Sequence, residues 1–350
     1  MTFYNRRPEL ACLGFVLAAC LPASVCAQGV EGFYRGRQVT MLVASAAGGG
    51  YDVYARTFAR HAVRHIPGNP AIIVKNLPGA GGVAAANALA NTSEADGSVI
   101  AALTNGVAME PLFGNVAARF DAAKLSWLGS IGKLQNVCAT WQGSPVKTIE
   151  AARERETIVA AAGATSNTAV VPRVLNAVFG TRFKVISGYD PGAGLTMALE
   201  RGEAEGICGL SWSTIKASRP HWIRERRLNI LVQMGIEKLS EMPDVPRALD
   251  LVAEGESKQV LELILMRQEM GRPLAAPAGV PTERVAALRA AFAATMSDPD
   301  FRAEADRLQL EIDPLGAPAI ENLLGRAYGA PEPIIRRAAA LLDPSAHKAH

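Results

Sequence analysis

The stretch Ser45–Arg56, SAAGGGYDVYAR, joins an apolar run, VTMLVA (39–44), to a segment with apolar residues at helical spacing, DVYARTFARHAV (52–63). Glycine costs conformational entropy, so three in a row mark a place where backbone turns sharply or approaches something closely. A strand, a small-residue turn and a helix in that order form half of a βαβ unit. The same arrangement recurs. AIIVKN (71–76) leads through LPGAGG into VAAANALAN, TIVAAAG (157–163) leads through ATSN into TAVVPRVLNAVF, and FKVISGYD leads through PGAG into LTMALERG. Pro-Gly-Ala-Gly occurs at both Pro78–Gly81 and Pro191–Gly194. Alternating strands and helices predict an α/β fold with mainly parallel sheets.

In such sheets ligands bind beyond the carboxyl ends of the strands, where the next helices begin. Free N–H groups and the positive dipole end there favour an anion without a charged side chain. Two lobes facing each other would aim four such ends at one cleft, with Gly48, Gly49 and Gly50 opening backbone amides to an anionic ligand.

The 350 residues suffice for two domains. A net charge of +3 with 20% charged residues shows no basic stripe, which argues against nucleic acid as a partner. The first residues read as an export signal: Arg6 and Arg7, an apolar segment from Leu10, then small residues up to Ala27. Cleavage before Gln28 is the preferred reading, over a lipoprotein box, Leu17-Ala18-Ala19-Cys20, that would leave a lipid anchor on Cys20. No later stretch reaches the ~20 apolar residues of a membrane span. Residues 1–27 are therefore assigned as signal peptide, 28–131 plus 251–343 as a discontinuous first lobe, 132–250 as the second lobe and 344–350 as a flexible tail. Within 274–312 a proline-punctuated loop, two helices and a strand, QLEI, return to the first lobe, and the end from Ala339 reads as frayed. Past the signal only Cys138 and Cys208 remain, both in strand-like runs. They are either two buried thiols or a disulfide permitted by an oxidising compartment.

Other chemistries fit less well. Gly79–Ala84 satisfies G-x-G-x-x-G/A, but Leu77 and Pro78 lengthen the turn. The next strand ends at Thr104 and Asn105 rather than at an acidic ribose partner, so a dinucleotide cofactor is not expected. Gly209–Ser213 begins like a nucleophile elbow but lacks the final glycine. His61 and His65 share a helix face without a third metal ligand and read as complements to the helix dipole. Asp52 caps the helix that follows, binds a ligand amine or holds the loop's shape, and Tyr51, Tyr189 and Trp212 are either packing aromatics or cleft walls.

With these residues in view, the chain resembles the receptor family of tripartite tricarboxylate transporters, the exported solute-binding proteins also called Bug. AAGGGYDVYAR, VKNLPGAGGVAAANALA, ADGSVIAAL, GYDPGAGLTMALERGEAEG and LAAPAGVPTERVAALRAAF stand in the family's order and span most of the chain beyond the signal. The resemblance implies a two-lobed, type II periplasmic-binding fold that closes on a small organic anion, usually a carboxylate, without cofactor or catalysis. It also implies a separately encoded membrane permease as partner; a monomer in the periplasm is expected. It carries ligand contacts onto Gly48, Gly49, Gly50, Tyr51 and Asp52, and onto Pro78, Gly79, Ala80, Gly81 and Gly82. In the other lobe it carries them onto Ala164, Thr165, Ser166, Asn167, Tyr189, Asp190 and Gly192. Thr104, Asn105 and Trp212, at strand ends, complete the candidate set. Ala47 and Tyr51 depart from the family's usual proline and threonine, and a phenol there narrows the pocket. The rivals are an exported enzyme acting on a small acid, with Asp52 or Asp190 as base, and a sensor docking on a signalling receptor.

Overall fold

The computed structural model describes residues 1–2, 23–163, 166–190 and 193–343. The first helix, α1 (Ala23–Tyr34), spans the expected cleavage point, and its later turns bury Val30 and Tyr34 in the first lobe. The apolar part of the export signal, with Cys20, lies outside the described residues. After β1 (Gln38–Val43) come α2 (Gly50–Ala62), β2 (Ala71–Asn76), α3 (Val83–Asn91), β3 (Val99–Ala102) and β4 (Ser126–Ser130). The chain then crosses into a second sheet. It contains β5 (Asn136–Trp141), α4 (Ala151–Glu154), β6 (Thr157–Ala161), α5 (Asn167–Phe179), β7 (Phe183–Ser187), α6 (Ala193–Glu200), β8 (Gly206–Ser211), α7 (Trp212–Ser218), α8 (Pro220–Arg224) and β9 (Leu228–Met234). α9 (Glu256–Met266) leads back to β10 (Pro273–Ala276) in the first sheet. α10 (Thr282–Ser297), α11 (Pro299–Arg307), β11 (Leu315–Gly316), α12 (Ala317–Tyr328) and α13 (Glu332–Leu342) follow.

Strand order is β2-β1-β3-β10-β4-β11 in the first sheet and β7-β6-β8-β5-β9 in the second. The expected mainly parallel sheets are in fact mixed. β1 pairs in parallel with β2 and β3, whereas β10 runs antiparallel to β3 and β4, and β5 runs antiparallel to β8 and β9. The cause is the double crossing, because a strand entering a sheet from the other lobe comes in opposed to the βαβ strands. Two expectations at the end of the chain are also corrected. Residues 310–314 of the QLEI region form no strand, the pairing being made by Leu315 and Gly316 with β4. α13 stays helical to Leu342, since Ile334 and Ala338 are buried in a core shared with Val260 and Ile264 of α9.

Where the two crossings meet, backbone touches backbone. Ile131 N–H donates to Arg272 O (3.0 Å) and Leu134 N–H to Gln268 O (2.8 Å). A Cβ on Gly271 would stand 2.5 Å from Gly132 O and 2.6 Å from Leu134 N, so only glycine lets the crossings lie this close. Both connections thus form one hydrogen-bonded hinge under the cleft.

Candidate functional site

In the first sheet β1 and β3 are neighbours although β2 lies between them in sequence, which makes their carboxyl ends a topological switch point. Beyond it lies a cavity of about 750 Å³ whose lining comes from both lobes. Tyr51, Ala80, Gly81, Thr104, Asn105 and Gly106 belong to the first lobe, and Ser166, Asn167 and Val170 to the start of α5 in the second.

The Ser45–Arg56 stretch is braced from within. Asp52, in the first turn of α2 and 3% exposed, accepts from Gly48 N–H (2.8 Å), Arg56 Nε (2.9 and 3.0 Å) and Asn76 Nδ2 (2.7 Å). Burial alone would raise its pKa. Hydrogen bonds from Arg56, Gly48 and Asn76, with the Arg56 charge, more than offset that and hold it below the usual carboxylate range. Asp52 therefore serves as an internal loop brace, with both oxygens occupied. The Gly48 amide expected to meet a ligand is spent on Asp52, and the Gly49 amide donates to Ala46 O (3.3 Å). Of this loop, Tyr51 lines the cavity.

The second glycine turn has an uncommon backbone. Gly79, Ala80, Gly81 and Gly82 have φ of 146°, 44°, 67° and 107°. Gly82 is also sterically obligatory, because a Cβ there would lie 2.4 Å from Thr104 Oγ1. Thr104 Oγ1 in turn donates to Gly81 O (2.6 Å), drawing the turn over the end of β3. Ala80 is an L residue held in the left-handed region, a strained geometry that here presents Ala80 and Gly81 to the cavity. Pro78, Gly79 and Gly82 shape this turn without lining the cavity.

Tyr51 and Asn105 are locked together: the Tyr51 hydroxyl donates to Asn105 Oδ1 (3.2 Å) and accepts from the Asn105 backbone N–H (3.1 Å). Beneath the ring, the buried Arg272 guanidinium stacks on Tyr51 (4.8 Å) and Tyr54 (4.4 Å). On the facing lobe Ser166 is tied locally, its Oγ donating to Gly163 O (2.7 Å), while Asn167 Oδ1 accepts from Arg267 Nη2 (2.8 Å).

Several expected contacts lie elsewhere. The buried Trp212 donates through Nε1 to Glu241 (3.1 Å), and its backbone N–H bonds to Gln135 O (2.8 Å) at the hinge, so it belongs to the second lobe's core. Tyr189 packs against that same core, and Asp190 is exposed; neither lines the cavity. Ala164, Thr165 and Gly192 lie outside the described residues. Cys138 and Cys208 stand opposite each other on β5 and β8 and are joined as a disulfide. His61 and His65 bond to Glu304 and Asp298 (2.6 Å each), side chains of and beside α11. Among the described residues no group of three potential metal ligands occurs, and no helix is long and apolar enough to cross a membrane.

Sequence reasoning passed over Arg267, Glu110, Phe113, Asn115 and the end of α13, all of which line the cavity. The one local signal was Arg267 itself, a charge closing the apolar run LELILM just before the return strand.

Two lobes of mixed sheet, joined by a double crossing and enclosing a cavity at their strand ends, define a two-lobed solute-binding protein. The profile of the tripartite tricarboxylate transporter family receptor, TctC, matches residues 55–318, and the chain belongs to that family. No curated protein matches the sequence. Among solved structures, a TctC solute-binding protein from Polaromonas is similar at 22% identity and a TM-score of 0.66, over 88% of this chain and 98% of that one. A Rhodopseudomonas palustris protein solved with adipate aligns at 18% identity and a TM-score of 0.65, over 87% of this chain and 98% of that one. MatC from the same organism, with bound malate, aligns at 20% identity and 0.59, over 88% and 99%.

Proposed function

We propose that this protein is a periplasmic receptor that captures a small organic carboxylate between its lobes and delivers it, as a monomer, to a separately encoded membrane permease. The observation that carries the reading is the cavity shared by the strand ends of both lobes, with Tyr51, Asn105 and Gly81 on one side and Ser166 and Asn167 on the other. A solute held by groups from both lobes favours the form in which they approach, which shifts an open–closed equilibrium about the Ile131–Leu134 and Gln268–Arg272 crossings. The closed form is then the one the permease reads. Binding of adipate and malate by structures of the same fold agrees with a cleft sized for short acids. The engagement of Asp52 by three donor groups disfavours its use as a catalytic base, and supports binding without chemistry.

The test is a thermal-shift screen of residues 28–350 against mono-, di- and tricarboxylates, amino acids and NAD. A ligand bound only by the folded form stabilises by RT ln(1 + [L]/Kd), about 2.7 kcal/mol at a hundredfold excess over Kd. A shift with a class of carboxylates is the expected result. A shift with NAD alone overturns the proposal.

A further inference from the structure

We infer that Arg267 is the counter-ion for an acidic group of the solute, with the Asn105 side-chain amide as its partner donor. This rests on the receptor reading above. Arg267 follows α9 where the chain returns toward the first lobe, and its side chain enters the cavity between the lobes. Its Nη2 donates to the neutral Asn167 Oδ1, its Nε is buried without a hydrogen-bond partner, and it makes no ion pair among the described residues. Burial pulls its pKa down, and the field of Glu110 only partly opposes this. The Glu110 carboxylate itself accepts from Asn115 Nδ2 (2.6 Å). A guanidinium in such surroundings is costly until a carboxylate reaches it, and its planar fork fits one with two parallel hydrogen bonds.

The second observation is independent. Asn105 is 7% exposed, lines the same cavity, and its Nδ2 has no partner. The Tyr51 hydroxyl accepts from the Asn105 backbone N–H and donates to Oδ1, which takes up the side-chain oxygen and leaves Nδ2 as the unpaired end. Buried donors normally have an acceptor. Gly106, next to Asn105 in the chain, lies against the guanidinium: a Cβ added there would sit 3.6 Å from Arg267 Nη1. Glu110 and Asp343 line the cavity too, and among its described lining residues Arg267 is the cation, so an acid group of the solute is drawn to Arg267.

The experiment is calorimetric titration of residues 28–350, wild type, R267Q and N105D, with hexanoate, adipate, malate and, as an uncharged control, hexanamide. Wild type binds at least one acid and discriminates against the amide. R267Q loses about 30-fold or more in affinity for that acid and its preference for acid over amide collapses, while the melting temperature of the unliganded protein is not lowered. N105D keeps the oxygen that Tyr51 needs and sets a negative charge where the donor stood, so it loses a similar factor by repulsion; it decides the matter should R267Q fail to fold. Wild-type affinity and discrimination in either variant overturn the role of Arg267 and Asn105 and leave the receptor reading standing. Failure of wild type to bind any of the acids overturns both.

Discussion

Replacing Asp52 by Asn removes one charge from the centre of the Ser45–Arg56 turn and leaves its shape nearly unchanged. In the native protein Oδ2 accepts from Gly48 N–H and Arg56 Nε, and Oδ1 from Asn76 Nδ2 and Arg56 Nε. Whichever oxygen becomes an amide nitrogen therefore faces two donors, and no rotation relieves both. Hydrogen bonds to a charged group contribute about 1.5–3 kcal/mol each, and breaking one partner of a buried ionic cluster costs about 3–5 kcal/mol. Arg56 is partly exposed and can turn to water, so the lower end applies, about 3 kcal/mol. At roughly 2–4 °C per kcal/mol this is a fall of about 6–12 °C in melting temperature at pH 7.

The pH dependence carries a definite sign. The pKa of Asp52 is lowered by folding, so its stabilisation is fully present above the unfolded value, about 3.9, and is lost as pH falls through the folded one. D52N has no such step. Thermal melts of the two proteins between pH 7 and pH 3 should therefore converge below about pH 4. A D52N melting temperature within about 1 °C of wild type at pH 7, or a gap that stays constant on acidification, would refute the brace and return Asp52 to the list of ligand contacts.

Two further predictions test the cleft and its supporting lobe. Ala80→Gly relieves a left-handed alanine and should raise stability by about 1 kcal/mol, whereas Gly82→Ala puts a Cβ against Thr104 and should cost about 2 kcal/mol or more; urea midpoints moving the same way in both would show the turn is not built as described. For Cys138 and Cys208, the denatured, unreduced chain from residue 28 should show no free thiol. Reduction should cost about 4 kcal/mol, the loop-entropy value for a separation of 70 residues, and two titratable thiols would exclude the bond.

The strands were legible because each is a short apolar run ending in a small-residue turn. β2 and β5 span the very residues AIIVKN and NVCATW marked by composition, and the two-lobed class followed from repetition of that unit. The mixed pairing was not, since strand direction across the hinge depends on which lobe a strand arrives from. Tyr51, Ala80, Gly81, Thr104, Asn105, Ser166 and Asn167 meet at one cavity because they follow strands whose carboxyl ends face it, and position after a strand is a local property. Asp52 and Trp212 have the same local credentials and face the other way. Asp52 is held by Asn76, twenty-four residues on, and Trp212 by Glu241 and the Gln135 backbone, none of which is visible from the stretch containing the residue.

Arg267 shows the limit most sharply. A cation just beyond an apolar helix reads locally as a surface partner for the helix dipole, the commonest use of such a residue. Its place in the cavity wall arises because the return crossing sets the end of α9 against the start of α5, and the residue it bonds lies 100 positions earlier. The charge that most distinguishes this cleft thus belongs to neither glycine turn. Both glycine turns bring only uncharged groups to the cavity, whereas Arg267 is the cation among its described lining residues, so selectivity among acids should follow Arg267 rather than the loops.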